Sequence, residues 1–320
     1  RYLLGAFAGE LRQRSSGLGG RAAGGLDGTT VAATGAAGRH HGAWVQLHHH
    51  HHEEERDGDT GNPAFRYTGE ALTLGLESDL DLAGEVLQTG AALGVHRGDL
   101  RLNDRAASGE LSAVFIGAYA RYQGSGAAYL RSDLSLSATD VDMQRHLPDT
   151  LPGERASASH RTLGTRLALE AGLDTVVTGL DLRPWGQVAA AHQRRSGFNE
   201  SGADASGLRV ARSTQAWSEV SAGLDIGRAF LTAGRWSRLQ GGVALTQAFG
   251  DTRAEQTARF QEGGDAFTVY GADHDGLQWR TTLEASLHVS DSVALHGGWR
   301  GHFSDHDSAH QAVLGLTARW

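Results

Sequence analysis

Residues 308–320 read Ser-Ala-His-Gln-Ala-Val-Leu-Gly-Leu-Thr-Ala-Arg-Trp. Counting back from the last residue in steps of two, Trp320, Ala318, Leu316, Leu314 and Ala312 make one wholly apolar face. Arg319, Thr317, Gly315, Val313 and Gln311 make the other, which is mixed and polar. Side chains alternate across a strand, so a period of two marks a strand standing between two different solvents. One such strand fits any half-buried sheet, but the two stretches before it repeat the pattern. In 292–303, Val293, Leu295, Gly297, Trp299, Gly301 and Phe303 oppose Ala294, His296, Gly298, Arg300 and His302. In 276–289, Leu277, Trp279, Thr281, Leu283, Ala285, Leu287 and Val289 oppose Gln278, Arg280, Thr282, Glu284, Ser286 and His288. Three successive strands set an apolar stripe against a face carrying charge. That is the pattern of a transmembrane β-barrel with lipid outside and water or polar networks inside.

Working back along the chain, twelve strand candidates appear, at 42–54, 67–80, 85–97, 109–122, 126–140, 158–173, 180–194, 213–227, 234–250, 276–289, 292–303 and 308–320. Alternation is clear in several. Leu163, Leu167 and Leu169 oppose Arg166 and Glu170, Leu130 and Leu134 oppose Arg131 and Asp133, and Val220 and Leu224 oppose Glu219 and Asp225. Strand 109–122 is apolar on both faces, which leaves its orientation open. The connections alternate long and short, with 55–66, 98–108, 141–157, 195–212 and 251–275 long and 81–84, 123–125, 174–179, 228–233 and 290–291 short, while the last, 304–307, falls on the long side but is brief. Outer-membrane barrels pair short periplasmic turns with longer extracellular loops, and an even strand number puts both chain ends on one side. A soluble sandwich has no reason to keep loop length in step with strand parity.

The totals agree with this class. Hydrophobic residues are 39% of the chain and mean hydropathy is −0.36, as expected when only alternate residues of each strand face lipid. No apolar run is long enough for a membrane-spanning helix. All 29 basic residues are arginine, cysteine is absent, and the net charge of −8 speaks against nucleic-acid binding. Without cysteine there is neither a disulfide framework nor a thiolate metal site. The chain opens on Arg1 with no charged and apolar leader, and is expected to be a mature segment from which a targeting sequence has been removed.

Twelve strands about 4.8 Å apart, tilted by about 40°, give a backbone diameter of about 24 Å and a lumen of about 10–13 Å once side chains are added. That width admits one helix of about 10–12 Å or one or two extended segments. Residues 2–14 place Leu3, Phe7 and Leu11 at four-residue spacing, a short amphipathic helix that either packs on a surface or fills the lumen. Residues 17–38, rich in Gly, Ala and Thr, read as a connector. The expected division is a helix and connector over 1–41 and a barrel over 42–320.

The order of several short elements is similar to the translocator β-domain of autotransporters, the type V secretion family. These are an N-terminal helix, Gly-Ala-Trp-Val-Gln at 42–46, Gly-Ala-Ala-Leu-Gly-Val-His-Arg at 90–97 and Phe-Ile-Gly-Ala-Tyr-Ala-Arg-Tyr at 115–122. Leu-Arg-Pro-Trp-Gly-Gln-Val at 182–188, Phe-Thr-Val-Tyr-Gly at 267–271 and the terminal Trp320 complete the set. Segment 251–303 resembles translocators that carry subtilisin-like or lipase-like passengers. The resemblance implies a 12-stranded antiparallel barrel in the bacterial outer membrane with a helix in its lumen, transporting its own N-terminal passenger to the cell surface. It also implies insertion by the barrel-assembly machinery, which would recognise the final strand through Leu314, Leu316, Ala318 and Trp320. Some members cut the linker by cyclisation of a lumen asparagine. Here the asparagines are Asn62, Asn103 and Asn199, away from the helix.

Charges on the inward faces are Glu77, Arg131, Asp133, Arg166, Glu170, Glu219, Asp225, Arg280, Glu284 and Arg300. They are expected to form ladders between strands and to grip the helix through Glu10, Arg12 and Arg14. The run His48–His52 alternates between faces, which makes it a rim or strand segment rather than a metal centre; adventitious metal binding and an inserted tag are the lesser readings. His302, His306 and His310 straddle a hairpin and are expected to be solvated loop residues. No Gly-x-Ser-x-Gly elbow, P-loop or His-Glu-x-x-His is present. The chain is therefore expected to be a monomer in outer-membrane lipid, with no cofactor and no catalysis of its own. A pore for ions or small molecules is the alternative, and a barrel enzyme is a third reading.

Overall fold

A computed structural model describes residues 2–15, 40–55, 64–82, 85–102, 107–124, 126–147, 155–203, 206–274, 276–305 and 307–320. Among these, twelve long strands close into one antiparallel barrel. They are β1 (His40–Glu54), β2 (Phe65–Leu82), β3 (Glu85–Leu102), β4 (Ala107–Gln123), β5 (Ala128–His146) and β6 (Arg155–Leu173). The second half is β7 (Leu180–Arg195), β8 (Ser213–Thr232), β9 (Arg235–Gly250), β10 (Gln278–His288), β11 (Val293–Phe303) and β12 (Asp307–Arg319). Each pairs with its neighbour in sequence, and β1 pairs with β12, so the barrel keeps no free edge. The seam holds to the last residue: the Trp320 N–H donates to the His41 carbonyl at 3.0 Å and the His41 N–H donates back at 3.2 Å. Closure satisfies every ladder internally, the condition for crossing hydrocarbon with strands.

The molecule is inverted relative to a soluble protein. Leu314 and Leu76 on the outer wall are 68% and 64% exposed, while Arg131 and Asp133 inside are 2% exposed. Inward and outward faces of β5, β6, β8, β10, β11 and β12 fall where the alternation puts them. The outward apolar band ends toward the long loops in a polar zone with ion pairs Glu53–Arg66 at 2.6 Å, Arg97–Glu110 at 3.4 Å and Asp140–Arg161 at 2.7 Å. Strands run past the band: β3 continues to Leu102 and β5 to His146, several residues beyond their sequence-based ends. A strand of about 9–11 residues spans a bilayer, so the extra length stands above it.

Strand β4, of open orientation in the sequence, turns Ala113, Phe115, Gly117 and Tyr119 inward and Val114, Ile116 and Ala118 outward. Its inner wall is apolar because the helix lies on it. Helix α1 (Tyr2–Ser15) sits inside the barrel. Phe7 and Leu11 pack with Trp44, Ala92, Ala113, Phe115 and Tyr119, and the rings of Phe7 and Phe115 stack at 5.1 Å. The surface-packed alternative for this helix is thereby excluded.

Segment 251–275, expected as a long loop, instead holds two strands, Arg253–Phe260 and Phe267–Asp273. With Leu208–Val210 and Phe198–Asn199 they form a second, four-stranded sheet at the long-loop end. Gly263 and Gly264, at φ of 130° and 103°, reverse the chain between the two longer strands, a backbone region that glycine alone enters without strain. Their shortness hid these strands, since they pair with another loop rather than with the barrel wall. The connector at 17–38, Asn62, Asn103 and His306 lie outside the described residues.

Candidate functional site: the lumen and its helix

The helix carries its charges on its last two turns, and the barrel meets each with a partner. Arg12 donates from Nε to Glu170 at 2.6 Å and from Nη2 to Asp225 at 3.1 Å, with its guanidinium 3.9 Å above the Trp185 ring. Arg14 donates to Thr317 Oγ1 at 2.9 Å, lies 3.7 Å from Glu77, and sits 4.8 Å above the Trp44 ring. Glu10 takes a different environment from the one expected: it accepts from Thr73 at 2.8 Å and Gln311 at 3.4 Å and faces His48 Nε2 at 3.3 Å.

From Glu170 a ladder continues around the wall. Tyr129 donates to it at 2.8 Å and Arg131 at 3.4 Å. Arg131 then reaches Asp133 at 3.1 Å, Arg166 lies 3.3 Å from Asp133, and Arg166 reaches Glu219 at 3.3 Å. Arg280 donates to Ser221 at 2.7 Å, and Arg300 lies 3.6 Å from Glu284. Of the charged residues singled out in the sequence, Glu170, Asp225 and Glu77 meet the helix arginines directly. Arg131, Asp133, Arg166 and Glu219 belong to the wall, and Arg280, Glu284 and Arg300 stand on β10 and β11, where Glu284 also bonds Gln13 of the helix. Buried pairs of this kind sit near electrostatic break-even as long as they are intact, while removing one partner strands a charge in a poor solvent.

Sequence reasoning singled out charges and passed over aromatics. Trp44, Tyr119, Tyr129 and Trp185 stand inside, each directly across from a glycine: Gly75, Gly90, Gly172 and Gly223. A Cβ at any of the four glycines would collide with the facing ring, so each ring lies flat on bare backbone. The rings form a collar on which Arg12 and Arg14 rest. The signal was present as aromatics on the polar face of their strands, each with a glycine at the paired register, but the register is a property of the closed sheet.

The histidine run divides by face. His48, His50 and His52 are buried inside, and His49 and His51 point outward. Among the described residues, no three His, Asp or Glu side chains converge on a point suited to a metal ion. His302 and His310, expected in solvated loops, lie in strands. His302 is inside, 3.7 Å from Asp307, and His310 is outside, stacked on Trp299 with ring centroids 5.8 Å apart. On β12, Leu314 and Leu316 face outward with Trp320 at the short-turn end, and Ala318 is partly covered.

The helix lies off centre, against β3 to β6. A cavity of about 770 Å³ remains beside it, lined in part by Gln187, Trp217, Gln240 and Arg280.

The autotransporter beta-domain model matches residues 43–300. The translocator domain of autotransporter NalP from Neisseria meningitidis superposes with a TM-score of 0.72 at 18% identity, covering 99% of this chain and 97% of that one. The beta domain of the Bordetella autotransporter BrkA gives 0.64 at 18% identity, over 88% and 99%. A curated extracellular serine protease of Serratia marcescens is 23% identical over 197 residues. That alignment takes in 61% of this chain and 19% of the curated protein.

Proposed function

Because the chain belongs to the autotransporter beta-domain family, we propose that it is the translocator unit of a larger polypeptide, carrying its own N-terminal passenger across the outer membrane and then held shut by α1. The observation that supports this most is Arg12, which ties the helix to Glu170 on β6 and Asp225 on β8 at once. A channel built to conduct has no need of a segment anchored by ion pairs to two strands of its wall. The long loops and the four-stranded sheet face the outside of the cell, where Tyr2, at the level of His50 and His52, directs the chain upstream of the helix.

In this reading the barrel is a monomer in outer-membrane lipid and performs no catalysis. Its assembly by the barrel-assembly machinery uses the outward residues of β12 and the terminal Trp320. The likeness to extracellular serine proteases of Serratia marcescens favours a hydrolytic passenger of the subtilisin-like or lipase-like group.

Deleting residues 1–39 and recording single-channel conductance in planar bilayers tests the plug. The expected result is a rise of several fold. Unchanged conductance would instead support the pore reading, in which the cavity of about 770 Å³ beside the helix is the conducting path.

A further inference from the structure

The histidines of β1 do not belong to the charge ladder, and they meet the other half of the helix. His48, His50 and His52 form an inner row with His96 of β3 beside it, all four buried. Ring centroids are 6.0 Å apart between His48 and His50 and 5.0 Å between His50 and His96. Tyr2 closes this row from the helix side. Its ring lies 4.7 Å from that of His52, and its hydroxyl is 3.3 Å from His50 Nδ1. His48 lies between Glu10 and Gln311, 3.3 Å from Glu10 Oε2 through Nε2 and 3.0 Å from Gln311 through Nδ1. The Tyr67 hydroxyl is bonded to His96, and Phe65 stands edge-on to His52 at 5.1 Å.

We propose that this row is an acid-sensitive latch: with neutral imidazoles it holds the Tyr2–Glu10 half of α1 against the wall, and on protonation it lets that half go. The proposal rests on the plugged-lumen reading above and concerns how the plug is controlled.

The argument is one of charge count in a confined place. Every packed element contributes to it. The helix brings Glu10 and Tyr2, β1 brings Glu54, β2 brings Tyr67, β11 brings Arg300 and His302, and β12 brings Asp307. Glu284 of β10 lies against Arg300, and His274 lies 3.5 Å from Asp307. Glu10 meets the row directly at His48, and Asp307 adds a second negative charge near His52. Arg300 already adds a positive charge nearby. Protonating the row places neighbouring cations 5–6 Å apart, beside Arg300, with Glu10 against one end and Asp307 near the other. With the helix half withdrawn, water reaches the same imidazoles, which then take up protons in the ordinary range near about 6.5. The withdrawn state therefore binds more protons than the docked one, and acid shifts the balance toward it.

The two halves of the helix differ in how they are held. Arg12 and Arg14 are anchored by ion pairs to Glu170, Asp225 and Glu77, whereas in the first half, beside the packing of Phe7 on Phe115, the ionisable groups Tyr2 and Glu10 meet the histidine row. Gly5 and Gly9 lie in that first half, and glycine inside a helix lowers its stability. Release is thus a local event that leaves the barrel and the C-terminal anchor in place.

The test is the conductance of the purified chain in planar bilayers at pH 7.5 and pH 5.0 on the long-loop side. A reversible rise of at least fivefold in acid is expected. The variant His48→Gln/His50→Gln/His52→Gln/His96→Gln should keep less than a quarter of that rise. Because four core substitutions can impair folding, a second measurement uses the otherwise native chain, which has no cysteine. Ala8→Cys, buried in the helix, should react with a water-soluble thiol reagent at least tenfold faster at pH 5.0, normalised to the exposed control Ser290→Cys. Acid that changes neither conductance nor labelling overturns the latch, as does an acid response that survives in the folded glutamine variant. The chain lacking residues 1–39 separates the two readings. If that deletion leaves conductance unchanged, the plug itself is wrong; if it opens the barrel while acid does nothing to the native chain, only the latch is.

Discussion

Arg12 ties the helix to two strands at once, and both of its partners there are carboxylates. Replacing it in Arg12→Met leaves Glu170 and Asp225 buried with less compensation. Stranding a buried charge costs about 3–5 kcal/mol, so docking of the helix should weaken by that order. Open time in bilayer recordings should increase, and adding Glu170→Gln should recover part of the loss. On the outside, Leu283 faces lipid directly opposite Trp299. Leu283→Arg should reduce folding stability in bilayers by about 2–4 kcal/mol, read by urea titration. A variant as stable as the parent would mean that this wall faces the lumen.

At the scale of elements, α1 and β4 explain each other. The helix is too short to be stable alone, and β4 turns an apolar wall inward, which nothing but an apolar partner makes affordable. Gly117 is the point of closest approach: a Cβ there would stand 2.5 Å from Leu11 Cδ1 and 2.8 Å from Phe7 Cε1. Gly117→Val should push the helix off its seat and raise conductance several fold. Heat-modifiable gel migration should stay that of a folded barrel, because the outer wall and the strand ladder are untouched; loss of the folded band would show that the strand itself needs the glycine. The small sheet at the long-loop end has its own ties to the rim. Arg145 of β5 holds Glu200 at 2.6 Å, and His160 of β6 stacks on Phe198 at 5.2 Å. Gly263-Gly264 marked a turn there, but nothing local said that the strands beside it pair with another loop.

For the whole molecule, the governing fact is that solvent quality is reversed. Leucines cover the outside and a network of arginines and carboxylates occupies the inside, so hydrocarbon and ladder closure hold the wall together while electrostatics position the contents. The lumen is asymmetric as a result. The helix takes the side of β3 to β6, and a cavity of about 770 Å³ remains beside it. A lumen judged by width alone would be filled by a single helix. In the actual barrel the helix is drawn to one wall by its own apolar residues and leaves room along the other.

The amino-acid order by itself determined the class of fold, the strand number, the facing of most strands and the inward charges, because lipid and water impose opposite demands on alternate residues and a repeat of two records them directly. Only tertiary structure decided which charges meet the helix, which aromatics lie on which glycines, which way β4 faces and that two loops pair into a sheet. Those depend on register and on contacts between residues as far apart as Arg12 and Asp225. Closing the cylinder is what brings such residues together, and no local pattern encodes the stagger at which it closes.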